Sequence, residues 1–124
     1  MKKRTKAQLK KALWKEFAIF IKNRDEWRCV TCGREGSGHG MNAGHYIPKA
    51  ACGMEYYFSE QNVHAQCPGC NLFLSGNHPE YRKYIIRKYG EEVLEDIEKN
   101  FRIPCPDFPL EEKIEYYKNL NKKI

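Results

Sequence analysis

The sequence has no long apolar run. Nowhere do its 124 residues approach the roughly 18 consecutive apolar residues that a membrane-spanning helix requires. The basic N-terminus lacks the apolar stretch and small-residue cleavage site of a secretory signal, so the chain is read as cytoplasmic, with no membrane partner. No internal repeat or low-complexity tract interrupts it, and a single domain over residues 1–124 is expected. Acidic residues are scarce in two places. Glu16 stands alone among the first 24 residues against nine Lys and Arg, and no Asp or Glu lies between Glu35 and Glu55. That second stretch is also poor in aliphatic residues and rich in glycine. It can bury little apolar surface, so a metal is expected to help fold it.

The net charge of +6 is unevenly spread: residues 1–24 carry +8 and the remainder sums to −2. A positive field concentrated at one end suits a polyanion, above all nucleic acid. The plainer reading is a solvated face that keeps the chain in solution. On the first reading, Lys2, Lys3, Arg4, Lys6, Lys10 and Lys11 hold phosphates without reading bases. Arg82, Lys83, Arg87 and Lys88 would extend that surface. No element is an obvious base reader, which agrees with recognition of DNA by shape.

Four of the six cysteines fall in two clips, Cys29-Val30-Thr31-Cys32 and Cys67-Pro68-Gly69-Cys70. Two C-x-x-C clips supply the four thiolates of a closed tetrahedral zinc shell, structural rather than catalytic. In a chain without a secretion signal this outweighs the disulfide alternative. Such a site contributes on the order of 10–16 kcal/mol in zinc-binding peptides. Cys52 and Cys105 lack clip partners and are read as ordinary thiols.

Thr5 and Gln8 form a capping-box pattern, and Leu9, Leu13, Phe17, Phe20 and Ile21 recur at helical spacing. A basic amphipathic helix is therefore expected within 1–25, with its apolar stripe buried as core. Residues 26–78 should form the zinc-bound core, with Trp27–Val30, Tyr46–Pro48 and Tyr56–Phe58 as short strands and a helix starting near Cys67 or Cys70. His39 falls in a glycine-rich loop and is expected in solvent. Residues 79–124 should be a helical extension. Pro79 opens one helix that Gly90 stops, and His78 is placed to cap it. Another helix follows over Glu91–Asn100. Beyond Pro104, Pro106 and Pro109, a last helix starts near Leu110, with Ile114, Tyr117 and Leu120 inward.

The order C-x-x-C, then Ala43-Gly44-His45-Tyr46, then Asn62-Val63-His64-Ala65-Gln66-Cys67, then Cys70-Asn71 resembles the HNH endonuclease superfamily. With Leu74-Ser75-Gly76-Asn77 added, it resembles more narrowly the phage NinG family, also called Rap. The resemblance is strong over residues 27–78 and weak through the helix to Gly90. It implies an α+β fold: a β-β-α-metal, treble-clef-like core between the N-terminal helix and C-terminal helices. It implies a metal-dependent endonuclease acting on branched DNA such as Holliday junctions, in phage recombination within the bacterial host. By the same resemblance His45 is the general base, Asn62 fixes the hairpin and orients the imidazole, and Asn71 ligates the catalytic metal. Magnesium or manganese is the expected ion, with His64 and Asn77 as further candidate ligands. Cutting two strands makes a homodimer an expected assembly.

One departure stands out. Many HNH nucleases carry an acid immediately before the base histidine, and here that residue is Gly44. Nitrogen-rich ligands would shift preference from magnesium towards manganese, nickel or zinc. Each residue also has a plainer reading: His45 as a surface histidine, Asn62 and Asn71 as local caps, His64 as a hydrogen-bonding structural residue. A zinc-containing module that binds nucleic acid without cutting it is the alternative function. A structural adaptor that recruits a partner through its last helix is a third.

Overall fold

The computed structural model describes residues 3–36 and 40–123. Lys2 and His39, named above, lie outside them. Helix α1 spans Lys6–Arg24, with the capping box formed in both directions: Gln8 N–H donates to Thr5 Oγ1 at 3.1 Å and Thr5 N–H to Gln8 Oε1 at 2.8 Å. A two-stranded antiparallel ribbon follows, β1 (Asn42–His45) and β2 (Val63–Gln66), with Gly44 opposite His64 and Asn42 opposite Gln66. Between the strands lie a 3-10 turn, Lys49–Ala51, and the single helical turn α2, Met54–Tyr57. A π-helical turn, Gly69–Phe73, carries the second clip. Helices α3 (His78–Tyr89), α4 (Glu91–Asn100) and α5 (Leu110–Asn121) complete the described chain.

The structure corrects the expected strands. The first strand ends at His45, just before the first aromatic run, and the second begins at Val63, well after the second run. Tyr46–Pro48 leaves the ribbon, although Tyr46 N–H still donates to Asn62 O at 2.8 Å, and Tyr56–Phe58 belongs to α2 and its end. Aromatic residues favour strands because they suit a half-buried pleated surface, and here the surface they bury against is helical. Trp27–Val30 contributes a single bridge, Arg28 to Glu35, and Trp27 sits at φ +55°, which ends any extended run. His78 does not cap α3. Asn77 holds the N-cap position, and His78 stacks on Tyr46 with ring centroids 5.0 Å apart.

Three small buried clusters replace one large core. Leu13, Phe17 and Ile21 of α1 pack against Leu110, Ile114 and Tyr117 of α5, with Phe58 and Val63. The helix expected to flank the core at one end is thus joined to the helix at the other. Tyr81 and Ile85 of α3 pack with Leu94 and Ile97 of α4 around Tyr46. The third cluster contains Cys29, Cys67 and Cys70 with Met41 and Ala65. The outer edge of β2 is closed by side chains and loop backbone rather than by a third strand. Arg24 donates to Val63 O at 2.9 Å, Ala65 N–H donates to Asp25 Oδ2 at 2.8 Å, and Val30 N–H donates to Ala65 O at 3.0 Å. Unpaired strand edges invite association, and this one is fully engaged.

Candidate metal centre and histidine cleft

Cys29, Cys32, Cys67 and Cys70 come together with all four sulfurs within 4.8 Å of one another. Three are buried and Cys32 is exposed. Four soft donors at that spacing fit a structural metal such as zinc, as the clips imply. Cys52 and Cys105 stand outside the cluster; Cys52 Sγ instead contacts Ile47 O at 3.5 Å. Asn77, a candidate ligand for the catalytic ion, turns its amide to Cys70 Sγ at 3.5 Å and supports this cluster instead.

Next to the cluster is a cleft of about 280 Å³ lined by Trp14, Ala43, His45, Pro48, Lys49, Asn71, Ser75, Gly76 and His78. His45 is clamped between aromatic rings. Trp14 of α1 stacks on it at 5.2 Å, and Tyr57 of α2 meets it edge-on at 5.0 Å. Its Nε2 lies 2.9 Å from Tyr57 O. A carbonyl can only accept, so Nε2 carries the proton and Nδ1 keeps the lone pair. Burial lowers the His45 pKa to about 4; the hydrogen bond to Tyr57 opposes this, and the positive charges of Lys49 and Lys10 assist it. The ring is therefore neutral at physiological pH.

Asn62 is fully buried, and its side-chain hydrogen bonds among the described residues go to Ile47, Cys52 and Tyr56 rather than to the imidazole. Its Oδ1 accepts from Ile47 N–H at 2.9 Å and its Nδ2 donates to Tyr56 O at 3.0 Å. It thereby fixes the connection that presents the Tyr57 carbonyl to His45, one step removed from the expected contact. His64 is brought into a different network. Its Nδ1 is 3.1 Å from Tyr81 Oη and its Nε2 2.8 Å from Tyr89 Oη, while Tyr81 Oη donates to Gly44 O at 2.6 Å. With both nitrogens engaged and the side chain buried, His64 holds β1 in place and has no lone pair to offer a metal in the cleft. Burial lowers its pKa well below the usual histidine value, assisted by Arg24 and Lys88.

Asn71 reaches the cleft from the π-helical turn, and its Oδ1 faces Gly44. A β-carbon built at Gly44 would lie 3.0 Å from that oxygen and collide with Gln66 Oε1. Gln66 is itself fully buried. Its Nε2 donates to Gly76 O at 2.8 Å and to Thr31 Oγ1 at 3.3 Å, whereas its Oε1 has no partner among the described residues. The Gly76 carbonyl is aimed there by a run of left-handed backbone, Ser75 φ +50°, Gly76 φ +95° and Asn77 φ +49°. The two non-glycine residues in that conformation cost about 1–2 kcal/mol each.

The basic residues separate into groups. Lys10 lies near the cleft, with Nζ 4.2 Å from the centroid of Tyr57. Lys3, Arg4, Lys6 and Lys11 are exposed at the start of α1. Arg82 and Lys83 face Glu98 at 3.9 Å and Glu80 at 3.3 Å. Arg87 and Lys88 line a different cleft with Arg24 and Asp25. Sequence reasoning missed Lys49 and the Trp14 stack altogether. The only hint of Lys49 was a cation close to His45 in an acid-free stretch.

Fold and site together define a small mixed α/β domain in which a four-cysteine cluster that could hold a metal adjoins a cleft lined by His45 and His78. The family model described as Bacteriophage Lambda NinG protein matches residues 1–124, and the chain belongs to the NinG family. It is 40% identical over 82 residues to the Protein ninG of Escherichia phage lambda, covering 65% of this chain and 39% of that relative. It is equally similar to the Protein ninG of Escherichia phage 933W, at 40% over 82 residues, and 37% identical over 84 residues to that of Salmonella phage P22. The matched region spans about 40% of the length of these relatives. No solved structure matches the chain.

Proposed function

We propose that the chain is a zinc-stabilised, divalent-metal-dependent DNA endonuclease of the HNH type that cuts branched DNA during phage recombination in the host cytoplasm. The observation that carries this reading is His45. Its Nε2–H is committed to a backbone carbonyl, its Nδ1 keeps the lone pair and has no hydrogen bond to another described residue, and it lines an open cleft with Asn71 and Lys49. A histidine held in one tautomer by a backbone acceptor is arranged to take a proton from water. In this mechanism Nδ1 of His45 removes the proton of the attacking water. Lys49 and Lys10 attract the phosphodiester, whose charge offsets the smaller, coulombic part of the depression of the His45 pKa, burial being the larger part. Asn71 would hold a divalent cation, which supplies charge neutralisation at the phosphate and the leaving oxygen.

Recognition of branched rather than continuous DNA draws support from Leu72, Phe73 and Leu74, which follow Asn71 and are 65%, 84% and 59% exposed. Phe73 lines a separate hollow with Arg34, Cys67 and Pro68. Apolar and aromatic side chains exposed on the turn that carries Asn71 suit unstacked bases, which a junction offers and a duplex does not. The alternative, a module that binds without cutting, is favoured by one fact: no carboxylate lines the cleft. A cleavage assay with magnesium or manganese on a four-way junction and on linear duplex separates the two. The nuclease reading expects the junction to be cut preferentially. Binding without cutting under either metal would support the module.

A further inference from the structure

We propose that the side-chain amide oxygens of Gln66 and Asn71 form this protein's share of a divalent-cation site, in place of the acid absent at Gly44. Being uncharged, the pair holds the cation firmly only when a phosphodiester shares it. The inference rests on the nuclease reading for the use made of the cation.

Three observations converge. Gln66 is fully buried, yet its Oε1 accepts no hydrogen bond from any described residue. A buried acceptor left without a partner is costly and calls for a cation or a water. The amide cannot be turned over to relieve this, because Oε1 would then face the Gly76 carbonyl, itself only an acceptor, across 2.8 Å. The strained Ser75–Asn77 backbone fixes that carbonyl and so fixes where Oε1 points. It points at Gly44 and takes the position that a β-carbon there would need, with Asn71 Oδ1 on the same side of Gly44. Gly44 is therefore room for a ligand supplied from the opposite strand. An acidic residue at 44 could not coexist with Gln66 as it stands.

Amide oxygens are hard, neutral donors suited to magnesium, manganese or calcium. None of the described residues lining the cleft is a carboxylate and Lys49 is one of them, so no lining side chain offsets the two positive charges. A phosphate oxygen does. By linkage, DNA must then raise cation affinity by the same factor that the cation raises DNA affinity.

The test uses the full-length, zinc-loaded protein with Mn²⁺ as probe. In a 15N-labelled sample, the side-chain amide resonances of Gln66 and Asn71 should broaden first as Mn²⁺ is added. Binding measured by electron paramagnetic resonance should tighten at least tenfold when a four-way junction is added to the His45→Ala protein, which leaves the DNA intact. Asn71→Asp, which adds a charge at a half-exposed position, should raise Mn²⁺ affinity without DNA by roughly tenfold. Gln66→Met should lower it, with zinc content and circular dichroism verifying the fold. Broadening centred on surface carboxylates, with Gln66 and Asn71 still sharp, would overturn the proposal. So would an Asn71→Asp protein that binds Mn²⁺ no better than wild type, even if junctions are cut. Mn²⁺ bound at Gln66 with no cleavage under any metal would instead retire the nuclease reading and leave the site standing.

Discussion

His45 owes its character to its neighbours. Burial between Trp14 and Tyr57 removes water from the ring, and Lys49 and Lys10 make a second positive charge unwelcome. Burial is the larger cause of the depressed pKa and would remain, so replacing Lys49 by Met should raise the His45 pKa only modestly from about 4, read by NMR titration of its ring protons. On the nuclease reading, wild-type kcat/KM should fall only as pH drops through about 4, since that limb would report His45 as base in the free protein. The same shift has a stability consequence. The native ring is neutral down to about 4 while the unfolded one protonates near 6.5, so the unfolded state binds more protons between those values. Stability is fully present above about 6.5 and declines as pH falls towards 4, with His45 contributing at most about 3 kcal/mol. Denaturant unfolding at pH 7 and pH 4.5 measures it. At this scale the sequence was half legible. His45, Asn62 and Asn71 could be singled out by motif, but Lys49 and Gln66 could not, because their roles come from a lysine brought to the ring by folding and from an acceptor that finds no donor.

At the scale of elements, the end of α1 does more than stop a helix. Arg24 and Asp25 pair side by side at 2.9 and 3.0 Å, and between them they close the open edge of β2 at Val63 and Ala65. Arg24 also donates to Glu60 O at 2.7 Å, so its donors are well used. The Asp25 side chain is 3% exposed. Asp25→Ala would take the carboxylate from the partly buried Arg24 guanidinium, which keeps its two carbonyl acceptors, and would leave Ala65 N–H unpaired; it should cost about 2–3 kcal/mol in urea unfolding. Helix α1 was readable in sequence because a capping box and a helical stripe agree with each other. The ribbon was not. Its strands are four residues long and contain Asn, Gly, His and Gln, whose β-propensity is weak. What holds them is the cysteine cluster at one end, the Tyr81–His64–Tyr89 network on one face and Arg24–Asp25 at the edge. None of those partners is near in sequence.

The whole molecule consists of three apolar clusters joined by polar connections, and the cluster under the cleft is the smallest. Its apolar content is Met41, Ala65 and part of Trp27 besides the cysteines. Such a core should not hold the clips together without a metal, whereas α1 and α5 have a packed interface of their own. Chelation is therefore expected to loosen residues 27–78 while leaving much of the helical circular dichroism, with zinc re-addition restoring the fold. The two clips and the proline and glycine stops made the division into an N-terminal helix, a cysteine core and later helices legible in the sequence. That α1 and α5 pack together was not, since periodicity says which face is buried but not against what. The central proposal is that His45 serves as the base of a metal-dependent nuclease. Purified wild-type and His45→Ala proteins, each with bound zinc, should be compared on a four-way junction with manganese. Cutting by the wild type is expected and, for the variant, unchanged junction binding with cleavage reduced at least about a hundredfold. A variant that cuts as fast as the wild type would contradict the proposal.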